Sequence, residues 1–335
     1  MSVESRATIY DVAAEAGVSI TTVSRFLNSP NNVREETGTR IARAMEKLDY
    51  VPQGNAGSRA NRVVGRIGVL TPFFPAPSFV DRLRGLIPPL RQNNYEVVVY
   101  TIESPDQLDE YLTSVPFMRR IDGLILMSIQ LSSAQHRILQ ASGLNVVMIE
   151  ADNENYSRVL ADDLRGGRLA AELFIKKNYL PCAYMGDKNK DLPYSCHPSE
   201  MRLEGFVRGL EAGGYTLNDA MILEADTVME DARRVFGEFL DSGRRPRAIF
   251  AMSDVQSVGI LKAARERGLA VPQDLAVLGF DDIESADWLD LSSISQHLED
   301  SGRAAAGLLM DLIGKKTRAI QKVNLQVSLV ERGTT

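Results

Sequence analysis

Two sets of residues in this 335-residue chain have types and spacings suited to chemistry. The first lies in TIYDVAAEAGVSITTVSRFLN, residues 8–28. With Val23, Phe26 and Leu27 turned inward, Ile20, Thr21, Ser24, Arg25 and Asn28 share the opposite side of one short helix. A recognition helix in the DNA major groove uses its first turn and outer face in this way. An ordinary helical hairpin in a core is the alternative, because short helix pairs are common. The second set follows apolar runs. Phe73 follows GVLTP, Glu150 ends NVVMIE, Ser253 and Asp254 follow AIFAM, and Asp281 and Asp282 follow VLGF. In open parallel sheets, ligands bind beyond the carboxyl ends of the strands. Polar strand ends with an aromatic suit a polyhydroxylated ligand. Asp and Ser also cap helices, which is the reading favoured for Asp254. Catalytic chemistry is not encoded: there is no GxGxxG, GxxxxGK[ST] or GxSxG. His136, His197 and His297 lack metal-ligand spacing. Ser195-Cys196-His197 imitates nucleophile chemistry only on paper, since adjacent residues rarely aim at one atom. No catalytic residue, metal or cofactor is expected.

The elements that must position these residues are legible in outline. Ile9, Val12, Ala13 and Ala16 make one buried stripe, with Thr8 as its cap and Asp11 three residues on. Gly17 supplies the turn, and Ser19 caps the second helix. After the loop SPNN, a third helix runs from about Glu35 to Leu48, with Ile41, Ala44, Met45 and Leu48 inward and Gly38 as a weak spot. Residues 1–50 read as an all-α head and residues 51–63, VPQGNAGSRANRV, as a linker. From Val64 the pattern alternates. Strand-like runs occur at 66–71, 95–100, 122–127, 145–150, 182–186, 247–252 and 275–280. Helical segments lie between them, at about 78–93, 106–117, 133–142, 163–178, 199–213, 229–242 and 255–268, with another at 298–313. Such alternation predicts parallel, doubly wound sheets with helices on both faces, and residues 64–335 are long enough for two such units.

The string T-I-Y-D-V-A-x-x-A-G-V-S-x-x-T-V-S-R-x-x-N, resumed at Thr37, Arg40, Ile41, Ala44, Leu48, Tyr50 and Pro52, closely resembles the head of the LacI/GalR family of bacterial transcription regulators. The resemblance implies a helix-turn-helix head on a core of periplasmic-binding-protein type, two α/β subdomains around a cleft with three crossovers. It places the N-subdomain at about 64–160 and 292–322, and the C-subdomain at about 161–291 and 323–335. Ile20, Thr21 and Arg25 are then expected to read bases, while Ser19, Thr22, Ser24 and Asn28 contact phosphates or fix register. In the family the linker folds into a hinge helix on operator DNA, and a leucine wedges into the minor groove. Here Arg59 stands at the leucine position, and Gly54 and Gly57 occupy places where helix formers are usual. The expectation is that Arg59 lines a narrow minor groove electrostatically; a flexible tether is the alternative. In the cleft, MRLEGFVRGL resembles the R-x-x-G-F element whose arginine reaches the effector, which selects Arg202. LAVLGFDD selects Asp281, and LSSISQ resembles the L-T-T-x-x-Q crossover and selects Gln296. AMSDVQ resembles A-x-N-D with Ser253 in place of asparagine, and Glu150 stands where sugar-responsive members often carry aspartate. The C-subdomain position of a stacking aromatic falls near Thr227, so Phe73 and Phe79 are the candidates for an apolar face, or else plain core. A lone arginine facing two acids disfavours a strongly anionic ligand and leaves a sugar or sugar derivative.

Composition sets the frame. The hydrophobic fraction of 44% suffices for real cores. No apolar run reaches about 18 residues, so no membrane span is expected. Cys182 and Cys196 offer no disulfide framework, and the expected compartment is the bacterial cytoplasm. Net charge is −6, yet residues 1–62 carry +1. So modest a charge implies that one head binds weakly and that affinity comes from pairing two, in a homodimer or a higher assembly on double-stranded operator DNA. The expected function is therefore a repressor whose operator affinity is modulated by a small-molecule effector in the cleft. The family resemblance makes the helix after Phe79 and the helix after Asp254 candidates for its dimer surface. A ligand-binding protein with a vestigial head is the second reading, and an α/β enzyme the third.

Overall fold

The computed structural model describes residues 7–28, 33–48, 50, 64–116, 121–188, 192, 194–317 and 319–335. It divides into two units, Met1–Val64 and Gly65–Thr335. The expected hinge, with Gly54, Gly57 and Arg59, lies outside the described residues.

The head holds α1 (Ile9–Ala16), α2 (Ile20–Asn28) and α3 (Glu35–Lys47). Thr8 and Asp11 close a reciprocal capping box over the start of α1. Gly17 ends α1 at φ 60° and ψ 41°, the left-handed conformation that glycine adopts without a Cβ penalty. Val12, Ala13, Ala16, Val23, Ile41 and Ala44 form the head's core. Gly38 has a reason beyond propensity: a Cβ there would sit 3.0 Å from Cε2 of Phe26, so the glycine admits that ring between α2 and α3. Arg40 donates to the carbonyls of Ala16 (2.5 Å) and Gly17 (3.2 Å), which pins the turn from the third helix.

The second unit contains two parallel-rich sheets. The first has the order β11-β5-β4-β3-β1-β2, built from β1 (Gly65–Thr71), β2 (Tyr95–Thr101), β3 (Gly123–Met127), β4 (Asn145–Ile149), β5 (Ser157–Ala161) and β11 (Lys322–Leu325). The second has the order β12-β10-β9-β8-β6-β7, from β6 (Cys182–Asp187), β7 (Ile222–Ala225), β8 (Ala248–Ala251), β9 (Ala276–Asp281), β10 (Ser292–Ser295) and β12 (Ser328–Val330). We call the two halves the N-lobe and the C-lobe. Central strands are buried on both faces, which explains their unbroken apolar runs. Along β1, Ile67 and Val69 face the cluster that holds Phe79 and Leu86, while Leu70 faces the other. Helices α4 (Pro77–Gln92), α5 (Pro105–Ser114), α6 (Ser133–Ser142) and α12 (Leu298–Ile313) cover the N-lobe sheet. Helices α7 (Asp163–Lys176), α8 (Pro198–Ala212), α9 (Met229–Asp241), α10 (Asp254–Glu266) and α11 (Glu284–Trp288) serve the C-lobe.

The crossovers fall later than the expected limits at 292 and 323. Ser292–Ser295 pairs in register with Leu278–Asp281 of β9, so that segment belongs to the C-lobe, and the chain crosses at Gln296 and His297. Lys322–Leu325 pairs with Arg158–Ala161 of β5 and stays in the N-lobe. The short polar strands SSIS and KVNL carry no apolar run, and only tertiary pairing makes them strands. Among the described residues, no helix is long and apolar enough to cross a membrane.

Candidate functional site

In the head, Ser19 Oγ accepts from the Thr22 backbone N–H (3.2 Å) and lies 2.8 Å from Thr22 Oγ1, so both hydroxyls fix the start of α2. Ile20 is 41% exposed, and Thr21 and Arg25 are exposed beside it. Thr22 and Ser24 are half-buried. The side chain of Asn28 lies outside the described residues. The first turn and outer face of α2 thus present an apolar tip, hydroxyls and a guanidinium.

The cleft in the second unit gathers residues from both lobes. Glu150, just past β4, is joined to Arg82 of α4 and to the Ser128 hydroxyl, so each of its oxygens has a partner inside the protein. Arg82 Nη2 also donates to Gln296 Oε1 at 3.1 Å. Gln296 Nε2 donates to Asp281 Oδ1 at 2.5 Å, and Asp281 Oδ1 lies 3.9 Å from Arg202 Nη1. Arg202 Nε donates to Asp163 (2.8 Å), Nη1 donates to the Met252 carbonyl (2.5 Å), and the guanidinium lies 3.6 Å from the Phe280 ring centroid. A continuous polar chain therefore runs Glu150–Arg82–Gln296–Asp281–Arg202–Asp163, from one lobe through the crossover to the other. Ser128, Glu150, Asp281 and His297 all hold positive φ, from 53° to 115°, at strand ends and at the crossover. Such conformations cost about 1–3 kcal/mol each and cluster where the structure constrains a site.

Burial governs the charges here. It pushes the Glu150 carboxyl up, but Arg82 and the Ser128 hydroxyl outweigh it and hold the group below its usual range. Burial wins at Asp163 despite Arg202, so that carboxyl is raised. Asp281 is pushed up to about 6 by burial, with Arg202 and Arg82 pulling the other way. For Arg202, the neighbouring Asp163 and Asp281 overcome burial and favour the charged form.

The expected residues divide into two groups. Glu150, Arg202, Asp281 and Gln296 converge. Phe73 and Phe79 lie with ring centroids 5.8 Å apart, Phe73 half-buried and Phe79 in the N-lobe core, 5.6 Å from the Arg82 guanidinium. Ser253 and Asp254 face the protein instead. Ser253 Oγ accepts from the Gln256 N–H and caps α10. Asp254 is fully buried, accepting from the Ile283 N–H (3.0 Å) and the Ser293 hydroxyl (2.6 Å), so it braces the loop after β9 against β10. Thr227 is exposed and non-aromatic. In the Ser195-Cys196-His197 string, Ser195 Oγ donates to the Cys196 carbonyl (3.1 Å) and burial pushes the Cys196 thiol up, which is inert chemistry.

Arg82 and Asp163 do not emerge from reading the sequence alone. Asp163 looks like a helix-start acid. Arg82 had a signal: Arg82-Leu83-Arg84-Gly85 repeats as Arg202-Leu203-Glu204-Gly205. The repeat is structural. A Cβ at Gly85 would fall 1.8 Å from the Glu299 carbonyl oxygen of α12, and one at Gly205 would fall 2.1 Å from that of Leu164 in α7. Reciprocally, Gly302 approaches the Arg82 carbonyl and Gly167 that of Arg202. Each lobe thus seats one arginine at a close crossing of two helices. The cleft has two buried arginines, and the expectation of a lone one is corrected.

Comparison with known proteins agrees with this architecture. The profile described as "Bacterial regulatory proteins, lacI family" matches residues 8–53, and that described as "Periplasmic binding protein-like domain" matches residues 171–335. The ribose operon repressor of Halalkalibacterium halodurans is 30% identical over 334 residues, covering 98% of this chain and 97% of that protein. The structure of the transcriptional regulator CelR–cellobiose complex superposes with TM-score 0.72 at 26% identity, covering 98% of this chain and 100% of that one. The lac repressor dimer bound to operator and the anti-inducer ONPF gives TM-score 0.75 at 25% identity, covering 99% of each chain.

Proposed function

The chain belongs to the lacI family of bacterial regulatory proteins, whose members are ligand-responsive repressors rather than enzymes, and from that membership we propose how this one works. It binds a near-palindromic operator as a dimer in the cytoplasm, and a sugar or sugar derivative in the cleft sets its affinity for DNA. The observation that carries the DNA half is the exposed set Ile20, Thr21 and Arg25 on a helix capped by Ser19, after a turn pinned by Arg40. Residues 1–62, head and most of the linker together, carry only +1, so one copy gains little from phosphate attraction, and two copies on a palindrome supply the affinity. Arg59 lines the minor groove beside the recognition helices.

The polar chain through Gln296 supports the ligand half. It links the two lobes across a crossover, so a molecule that exchanges bonds with Gln296 or Asp281 changes what holds the lobes together. The cellobiose in the CelR complex and the ribose operon under the H. halodurans repressor support a sugar as that molecule.

Fluorescence anisotropy with a near-palindromic duplex taken from upstream of the gene tests the DNA half. Arg25→Ala is expected to cost about 1–3 kcal/mol of discrimination between operator and scrambled duplex. Equal affinity of the unmodified protein for both duplexes would favour a ligand-binding protein with a vestigial head.

A further inference from the structure

Among the described residues, two buried polar atoms of the N-lobe have no hydrogen-bond partner: Arg82 Nε and Thr71 Oγ1. Their residues are 2% and 1% exposed. Thr71 ends β1 at the carboxyl edge of the sheet. It continues the alternation of Ile67 and Val69, so it lies on the face that Phe79 and α4 cover. Arg82 occupies the same place in the N-lobe that Arg202 occupies in the C-lobe, each three residues before the glycine of a close helix crossing. A buried donor without a partner is costly, and two such groups, one on α4 bonded to Glu150 and Gln296 and one at the end of β1, point to a ligand that completes them.

Charge then selects among ligands. The site holds two arginines, Arg82 and Arg202, against three carboxylates, Glu150, Asp163 and Asp281. Arg82 is already paired with Glu150, so its open N–H is a hydrogen-bond donor rather than an unmatched cation. A ligand carboxylate would add negative charge to a buried site that already has an excess of it. Ligand hydroxyls can accept from Arg82 Nε–H, exchange with the Thr71 hydroxyl and donate to Asp281 without adding charge.

We propose that Arg82 and Thr71 are the specificity-determining N-lobe contacts of the effector, and that they tune the cleft to a neutral polyol over the corresponding acid. This rests on the reading of the cleft as the effector site. The test is calorimetry on the full-length protein at pH 7.5 with neutral pentoses, hexoses and disaccharides and with their aldonic and uronic acids. A neutral member is expected to bind at least tenfold tighter than its acid. Thr71→Val, which removes the orphaned hydroxyl at constant shape, is expected to leave the melting temperature of the unliganded protein unchanged or higher while weakening that sugar at least threefold. Arg82→Met is expected to weaken it at least tenfold; if that variant does not fold, the paired variant Arg82→Met/Glu150→Gln, which removes both charges of that buried pair, is compared with Glu150→Gln alone and is expected to bind the sugar more weakly. An acid that binds as tightly as its neutral parent overturns the charge argument. A neutral sugar held equally well by Thr71→Val and by the Arg82 variants overturns the contact. Binding by no member of the panel overturns the sugar reading of the cleft and the inference with it.

Discussion

The recognition helix and the cleft present their candidate functional residues in opposite ways. On α2, Ile20, Thr21 and Arg25 face outward from a small apolar core. In the cleft, Glu150, Arg82, Gln296, Asp281 and Arg202 face one another and are nearly enclosed. The head is a surface that waits for its partner. The cleft is a set of interactions that a ligand must enter and rearrange. A substitution in the first should therefore change binding and leave folding alone, while one that breaks a buried ion pair of the second should change both.

The largest expected effect is on the enclosed side. Glu150→Ala leaves Arg82 buried without its carboxylate, and breaking such a pair costs about 3–5 kcal/mol, read as a lower urea midpoint of the second unit. Arg25→Ala, read at the urea midpoint of the first unit, is expected to shift stability by less than about 0.5 kcal/mol, since its side chain is exposed. Equal shifts for the two would break the contrast.

A second prediction uses pH. The Asp281 carboxyl sits at about 6 in the folded protein against an ordinary 3.8, so the folded state holds that proton more tightly than the unfolded state. A carboxyl raised in this way destabilises the protein as pH rises from 3.8 to about 6, and the penalty is constant above that. The melting temperature of the unmodified protein should therefore fall relative to Asp281→Asn across this window and run parallel to it at higher pH. Parallel curves throughout would mean that the cleft does not hold Asp281 as described.

The smallest effect concerns the linker. Arg59→Ala is expected to reduce the slope of log affinity against log salt by about 1 for each phosphate that the arginine neutralises, with no change in the urea midpoint of either unit. Unchanged affinity and unchanged slope would remove Arg59 from the DNA interface and favour a linker that only tethers.

The same contrast explains what the sequence makes legible. The Thr8 box, the Gly17 turn and the Ser19 cap are local devices, and their spacing specifies them within a few residues. The Arg40 contact with the Gly17 turn reaches across 23 residues, and periodicity alone does not announce it. The cleft depends on longer links still. Arg82 meets Gln296 across 214 positions, and Asp254 meets Ser293 across 39. Strand-end logic brings the reader to Glu150 and Asp281 but cannot tell that Asp254 turns inward, because both orientations suit a residue after an apolar run. Ser292–Ser295 gives no strand signal, because a strand made mostly of serines is recognised only by its neighbours. The Arg-Leu-x-Gly repeat was the accessible signal for Arg82, and it becomes meaningful once both glycines are seen at helix crossings.

The central claim is that cleft and head are coupled through one equilibrium. Linkage requires that if a sugar changes operator affinity by some factor, operator DNA changes sugar affinity by the same factor. The direct measurement is a pair of titrations on one preparation: operator duplex by anisotropy with and without saturating sugar, and sugar by calorimetry with and without operator. Coupling of this kind predicts matching factors of about 5 to 150, the usual range. Sugar that binds with unchanged affinity in the presence of operator, and operator that binds unchanged in the presence of sugar, would contradict it.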